Sequence, residues 1–444
     1  MKMFRLLPLF VAVSATLALP VGAQSLVDLY ESARGFDASY QSAKSQYEAT
    51  LARADQAKAA ILPTANLALN ASRSNQNYTP EGGTKNELSY GTQSATVSAS
   101  QPLYRPGNWA SYKQGIKQVD LAQAQLTAAD QDLIVRVSQG YFDVLASQDS
   151  LTFVKAQKAA VAEQLASAKR NFEVGTSTIT DTREAQARYD LVVAQEIAAE
   201  NDLRVKQIAL DQLVGKTGTQ PKALAQPLAL PPLLPNDVTT WVGQSDAGHP
   251  NIQQAQIALD VAQLETKKAV AGHKPTLDLT ASYSAINNQD GSSNLTPGSS
   301  RANLGTIGLA FNLPLFAGFA TQNRIKETLA LEDKARNDLE GTKRSVAQNT
   351  RTAFFGVQSG QGQVKALEAA EASSQSALDA NKLGYQVGVR INIDVLNSQS
   401  QLFQTKRDLA RARYDVLVGS LRLRQANGTL KADDLQGVNA LLLK

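Results

Sequence analysis

Hydrophobic positions along this 444-residue chain follow two different periods, and each period occurs twice. Ala65, Leu67, Leu69 and Ala71 alternate with Asn66, Ala68, Asn70 and Ser72, and Ala95, Val97 and Ala99 alternate with Ser94, Thr96, Ser98 and Ser100. The alternation returns in Leu277, Leu279, Ala281 and Tyr283, and again in Ile307, Leu309, Phe311 and Leu313. A period of two with one apolar face predicts strands. Stretches rich in Gly, Ser, Asn and Pro at 74–87 and 286–301 join them into two hairpins, 64–101 and 275–313. After each hairpin comes a proline-free run, 108–172 and 320–383. As an unbroken helix, either run would reach ~100 Å at about 1.5 Å per residue. Shorter helices are expected at 180–214 and 391–427. In the last of these, Val395, Leu402, Leu409, Val416 and Leu423 recur in a heptad, with Leu396, Phe403, Ala410 and Leu417 beside them. A strict heptad winds a helix around its neighbours. The corresponding positions Tyr189, Val192, Ala199, Leu203, Leu210 and Leu213 are more interrupted by polar residues.

The two halves are copies of each other. The stretch from Asp37 to Ala43 answers to that from His249 to Ala255, and Leu62-Pro63-Thr64 to Lys274-Pro275-Thr276. Pro102-Leu103-Tyr104 answers to Pro314-Leu315-Phe316, and Tyr141-Phe142 to Phe354-Phe355. Phe172-Glu173-Val174-Gly175 answers to Tyr385-Gln386-Val387-Gly388, Asp181 to Asp394, and Gly215 to Gly428. Register is constant apart from one extra residue after the second Pro-Leu-aromatic motif, as a duplication requires. The copies, 24–225 and 236–428, flank a segment at 226–235 whose four prolines (Pro227, Pro231, Pro232, Pro235) exclude a helix interior or central strand. Residues 429–444 remain as a C-terminal tail. Pro63, Pro102, Pro275 and Pro314 fall at matched strand–helix junctions, where a ladder can stop.

Lys2 and Arg5, the apolar run from Leu6 to Leu19, and Val21-Gly22-Ala23 have the layout of a secretory leader, 1–23, cleaved after Ala23. No other stretch approaches the ~18 apolar residues of a membrane helix, so any membrane crossing must be β-structure. Cysteine is absent, which removes disulfides and thiolate metal sites. Only His249 and His273 offer imidazoles, far apart in sequence, and no nucleophile elbow or phosphate-cradling loop occurs. No enzyme and no cofactor is implied. The net charge of +4 comes without a block of lysine or arginine, which argues against nucleic acid.

Two hairpins have two open edges, whose unpaired N–H and C=O groups lipid does not tolerate. Strands that enter lipid must therefore share a barrel with other chains. Two chains give eight strands and a filled interior; three give twelve and a lumen.

In Gln101–Tyr104, Tyr141–Phe142, the segment from Arg170 to Gly175, Thr180-Asp181 and above all Gly384–Asn397, the chain resembles the TolC family of outer-membrane channels across essentially its whole mature length. The resemblance implies a mainly α fold with a membrane β-barrel part. The duplicated helix–hairpin–long helix–helix repeat would assemble as a homotrimer with a shared twelve-stranded barrel in outer-membrane lipid and a long coiled-coil α-barrel in the periplasm. It implies a passive exit duct of a tripartite efflux pump or type I secretion system, working with a periplasmic adaptor (a membrane fusion protein) and an inner-membrane pump. Val174, Gly175, Val387 and Gly388 become the hairpin tips that meet the adaptor. Thr180 and Asp181 become latch partners of Tyr385 and Arg390, holding the entrance shut. Asp394 takes the place of an entrance aspartate ring, and Asn397 stands where the family often has a second aspartate. The competing reading, a periplasmic adaptor with a helical hairpin, explains the long helices but not four amphipathic strands or the duplication.

Overall fold

The computed structural model describes residues 23–79, 81–84, 86–291 and 298–443. The expected leader, Ala23 excepted, lies outside the described residues, as do parts of the two hairpin loops. In the first copy, α1 (Leu26–Phe36) and α2 (Ala38–Ala59) precede β1 (Thr64–Tyr78) and β2 (Asn86–Tyr104). The long helix α3 (Pro106–Glu173) and α4 (Ile179–Val214) follow. The second copy repeats this as α5 (Val238–Gly248), α6 (Pro250–Ala271), β3 (Thr276–Gln289), β4 (Ser300–Asn312), α7 (Ala320–Gln386) and α8 (Asn392–Ala426), and α9 (Asp434–Asn439) closes the chain.

The hairpins form one antiparallel sheet in the order β1-β2-β3-β4, joined by the pairing of Val97 with Tyr283 and its neighbours. Register places Leu67, Val97 and Tyr283 in one row and Gln101, Leu279 and Leu309 in another, so one sheet face carries the apolar residues. Leu67, Leu69, Ile307, Leu309 and Phe311 are all exposed on it. From Leu277 to Ala285 that face runs for about 27 Å at about 3.4 Å per residue. This is of the order of the apolar band, about 25 Å tall, of outer-membrane barrels. The opposite face carries hydroxyls and amides that bond across strands, as Thr96 does with Ser284 (2.9 Å) and Thr92 with Asn288 (3.1 Å). The ladders run past the apolar band, from Ala71 paired with Gln93 out to Tyr78 paired with Asn86. The strands are thus longer than the alternation alone predicts, because backbone pairing continues where the side chains are polar on both faces. Pro102 sits inside the last rungs of β2, at a register shift before Tyr104.

The helix α3 is 68 residues long and α7 is 67, each about 100 Å at 1.5 Å per residue. In α8 the heptad residues divide between two neighbours. Leu402 packs with Leu378 of α7, and Leu409 and Val416 with Val364. Leu396 joins Val161 and Leu165 of α3, and Leu417 and Leu421 join the largest core. That core lies at mid-height, where Leu29 and Tyr30 of α1 meet Leu133–Leu145 of α3, Leu210 of α4 and Tyr414 of α8.

The C-terminal residues do not hang free as a tail. Leu430, Leu435, Val438 and Leu442 are buried in the same core. Leu442 bridges to Leu224, and Arg424 pairs with Asp434 at 2.7 Å. These apolar side chains need cover, and the groove beside α1 supplies it. The proline-rich segment is also held against the helices: Trp241 donates to the Pro235 carbonyl (2.8 Å) and Gln361 to that of Pro231 (3.1 Å).

Candidate functional site

At the end of the helices far from the sheet, both copies turn through the same cap. Val174 and Val387 share φ −91° and ψ 4°, and Gly175 and Gly388 follow at φ +78° and +77°. A left-handed residue after a helix is the position glycine fills without strain. It lets the Thr176 N–H return to the Asn171 carbonyl (2.8 Å) and the Val389 N–H to that of Gly384 (2.9 Å). No side chain covers the tips: Val174 is 72% exposed and Val389 75%, and Phe172, Ile179, Val387 and Ile391 stand out beside them.

Just beyond the first tip, Thr178 caps α4, and Asp181 completes a reciprocal capping box, its carboxylate accepting from the Thr178 N–H at 3.0 Å. Burial pushes the Asp181 pKa up, but bonds from the Thr178 backbone, the Thr178 hydroxyl and the Ser177 hydroxyl outweigh it and leave the carboxyl below its ordinary value. Thr180 is exposed on the first turn.

A cleft of about 520 Å³ runs between the two tips, with Asp181, Tyr385 and Arg390 all on its walls. The sequence expectation of direct latch bonds is not met within one chain. Tyr385 accepts from the Asn171 amide (3.1 Å), and Arg390 approaches Asp394, one turn on, at 3.8 Å. Among the described residues no ion pair joins Arg390 to Asp181, because Asp181 is already occupied by its own helix cap. Arg390 stays 58% exposed.

A buried residue that ties the start of α8 to the first copy is Asn392, which sequence reasoning passed over. It is 1% exposed. Its carbonyl accepts from Gln164 of α3, and its amide donates to the Asp181 carbonyl at 3.4 Å. Further along, Arg188 of α4 donates to Asn397 at 2.7 Å. Asn397 thus faces a cation of its own chain, while Asp394 is half-exposed beside Arg390. No local signal marked it, because its partner Gln164 lies 228 residues away. Among the described residues no group of three or more His, Asp or Glu is gathered as a metal site.

A family model described as "Outer membrane efflux protein" matches residues 29–216 and again 241–429. The chain is 34% identical over 439 residues to "Outer membrane protein TolC" of Vibrio cholerae, covering 99% of this chain and 98% of that one. It is 30% identical over 423 residues to "Alkaline protease secretion protein AprF" of Pseudomonas aeruginosa, covering 94% and 87%. Among solved structures, the outer membrane protein VceC of Vibrio cholerae superposes with a TM-score of 0.77 at 20% identity, over 91% of this chain and 96% of that one.

Proposed function

Because the chain belongs to the outer membrane efflux protein family, we propose that three copies close a twelve-stranded barrel over a helical tunnel whose far end is a gate. The protein is an outer-membrane exit duct of the kind used in efflux and type I secretion. Its neighbours in the working assembly are an adaptor that meets the exposed tips at Val174, Gly175, Val387 and Gly388, and an inner-membrane pump.

The observation that carries the assembly is a pair of matched surfaces, one satisfied and one not. Inside the chain, Phe142 is 1% exposed and stacks on Tyr414 of α8; its counterpart Phe355 is 53% exposed. Ala410, Val418 and Leu421 of α8 pack into the core, whereas their counterparts on α4 (Ile197, Val205 and Ile208) face outward. β2 pairs with β3, while among the described residues β1 and β4 have no neighbour on their outer sides. Repeating the contact between the copies from one chain to the next covers all of these at once, and closure of such a chain of contacts gives a ring. Twelve strands leave a lumen.

At the gate, the α7–α8 pair is held to α3 and α4 by Asn392, Tyr385 and the Arg188–Asn397 bond. Arg390 reaches to the neighbouring protomer, where a charge-assisted bond to a carboxylate or hydroxyl is strong yet breakable. Thr180 and Asp181 stand in the corresponding cleft to receive it. Three copies of Asp394 concentrate negative potential at the mouth. Reconstitution in planar bilayers tests the reading: a low-conductance channel whose conductance rises in Arg390→Ala is expected. No channel, or one indifferent to that substitution, overturns the gate.

A further inference from the structure

At the other end of α3, where strands give way to helices, lies a groove of about 580 Å³ between the start of α3 and the end of α6. Tyr104, Trp109, Leu264 and Val270 supply an apolar wall, and Lys113, Lys267 and Lys274 surround it. Tyr104 shares a rung with Leu277, which pairs with Phe311, so the groove opens on the apolar face of the sheet, at its lower rim. Trp109 is 50% exposed and Tyr104 46%, although large aromatic rings ordinarily gain from burial.

The three lysines differ from the other cations around them. Arg105 is held by Asp278, Lys117 by Asp260, and Lys268 and Arg324 by Glu265. Among the described residues, Lys113, Lys267 and Lys274 have no acidic partner, and all three are exposed. The groove also sits in the middle of the protomer. The helices lie in the order α2, α3, α6, α7, as the strands lie β1 to β4. Contacts between protomers, made at the outer edges, leave it open.

We propose that this groove binds one anionic phospholipid per protomer from the periplasmic leaflet of the outer membrane, its phosphate among the three ammonium groups and an acyl chain along Trp109, Tyr104 and Val270. The chemistry calls for a lipid that carries net negative charge: three unpaired cations gather where the apolar band ends, the depth at which headgroups lie and aromatic rings anchor. The duplicated positions keep only part of this set. Lys326 and Phe316 answer to Lys113 and Tyr104, but Gln322 stands for Trp109, Asp55 for Lys267 and Leu62 for Lys274, so the matching place has one of the three lysines and no tryptophan.

Trp109 is its own reporter, because the only other tryptophan, Trp241, is buried against Phe354. The full-length protein is placed in phosphatidylcholine nanodiscs doped with phosphatidylglycerol or phosphatidylethanolamine bearing brominated acyl chains, and a Trp109→Phe variant supplies the background. Quenching by brominated phosphatidylglycerol is expected to saturate at a mole fraction at least about fivefold lower than for phosphatidylethanolamine, since even one lysine near the surface contributes about fivefold. K113Q/K267Q/K274Q is expected to abolish the preference while keeping the fold, as all three side chains are exposed. Millimolar inorganic phosphate should leave quenching intact. Equal quenching by the two lipids, a preference that survives the triple substitution, or reversal by free phosphate each overturns the lipid site.

Discussion

Asn392→Ala isolates the contact that holds the second helical pair against the first copy. Asn392 is buried and joins Gln164 of α3 and the Asp181 carbonyl of α4. Swinging α7 and α8 outward must break both bonds in the unaltered protein, so the substitution raises the energy of the closed state and leaves the open state nearly untouched. Two hydrogen bonds at a net value of about 1 kcal/mol each give about 2 kcal/mol per protomer, or roughly 30-fold in the ratio of closed to open. If three protomers open together, the effect reaches at most about 6 kcal/mol. Gln164→Ala removes one of the two bonds and is expected to give about half the shift. Single-channel recordings in planar bilayers read both, with N392A spending far more time in high-conductance states and Q164A falling between it and the unaltered protein. If N392A assembles normally but conducts as the unaltered channel does, Asn392 only stabilises the fold and the gate lies elsewhere.

Two further outcomes rest on the matched copies. Gly215 (φ +70°) and Gly428 (φ +79°) end equivalent helices, but a Cβ on Gly215 meets the Phe36 ring, whereas one on Gly428 meets the backbone of His249. An exposed ring can swing away and a backbone cannot. Gly215→Ala is therefore expected to lose about 1–2 kcal/mol from the left-handed backbone, and Gly428→Ala about 1–3 kcal/mol more from overpacking, read as a larger fall in unfolding midpoint; equal losses would contradict the contact. His249 caps α6 by accepting the Asn251 N–H on Nδ1 (3.1 Å), which needs the neutral ring, and burial lowers its pKa from the ordinary 6.5. The unfolded chain then binds the proton more readily, so this contribution to stability is complete above about pH 6.5 and is lost as pH falls through the lower folded value. His249→Asn keeps a capping acceptor and should flatten the pH dependence of melting below about pH 6.5; an unchanged slope would assign it to other groups.

How much of this was legible in the chain depends on where each partner lies. The strands and long helices were readable because their side chains repeat locally, at two and at seven residues, and the duplication displayed each element twice. The outer ends of the strands were not, since Asn75, Gln76 and Asn77 pair through backbone that no hydrophobic pattern marks. The tail was readable in principle from Leu430, Leu435, Val438 and Leu442, apolar positions that had to be covered. The box formed by Thr178 and Asp181 is a local motif, and once seen it explains why Asp181 does not bind Arg390 within the chain. Asn392 escaped notice because its partner Gln164 lies 228 residues away. Arg390 shows the opposite case: within the chain it approaches only Asp394, one turn on, and the partner proposed for it at the gate belongs to another copy.

The particle mass of the detergent-solubilised protein tests the account most directly, because the open edges of β1 and β4 and the outward faces of α4 and α7 are assigned to neighbouring protomers. Native mass spectrometry is expected to give three chains per particle, falling to single chains only on denaturation. A stable monomer that keeps its strands without detergent would contradict it.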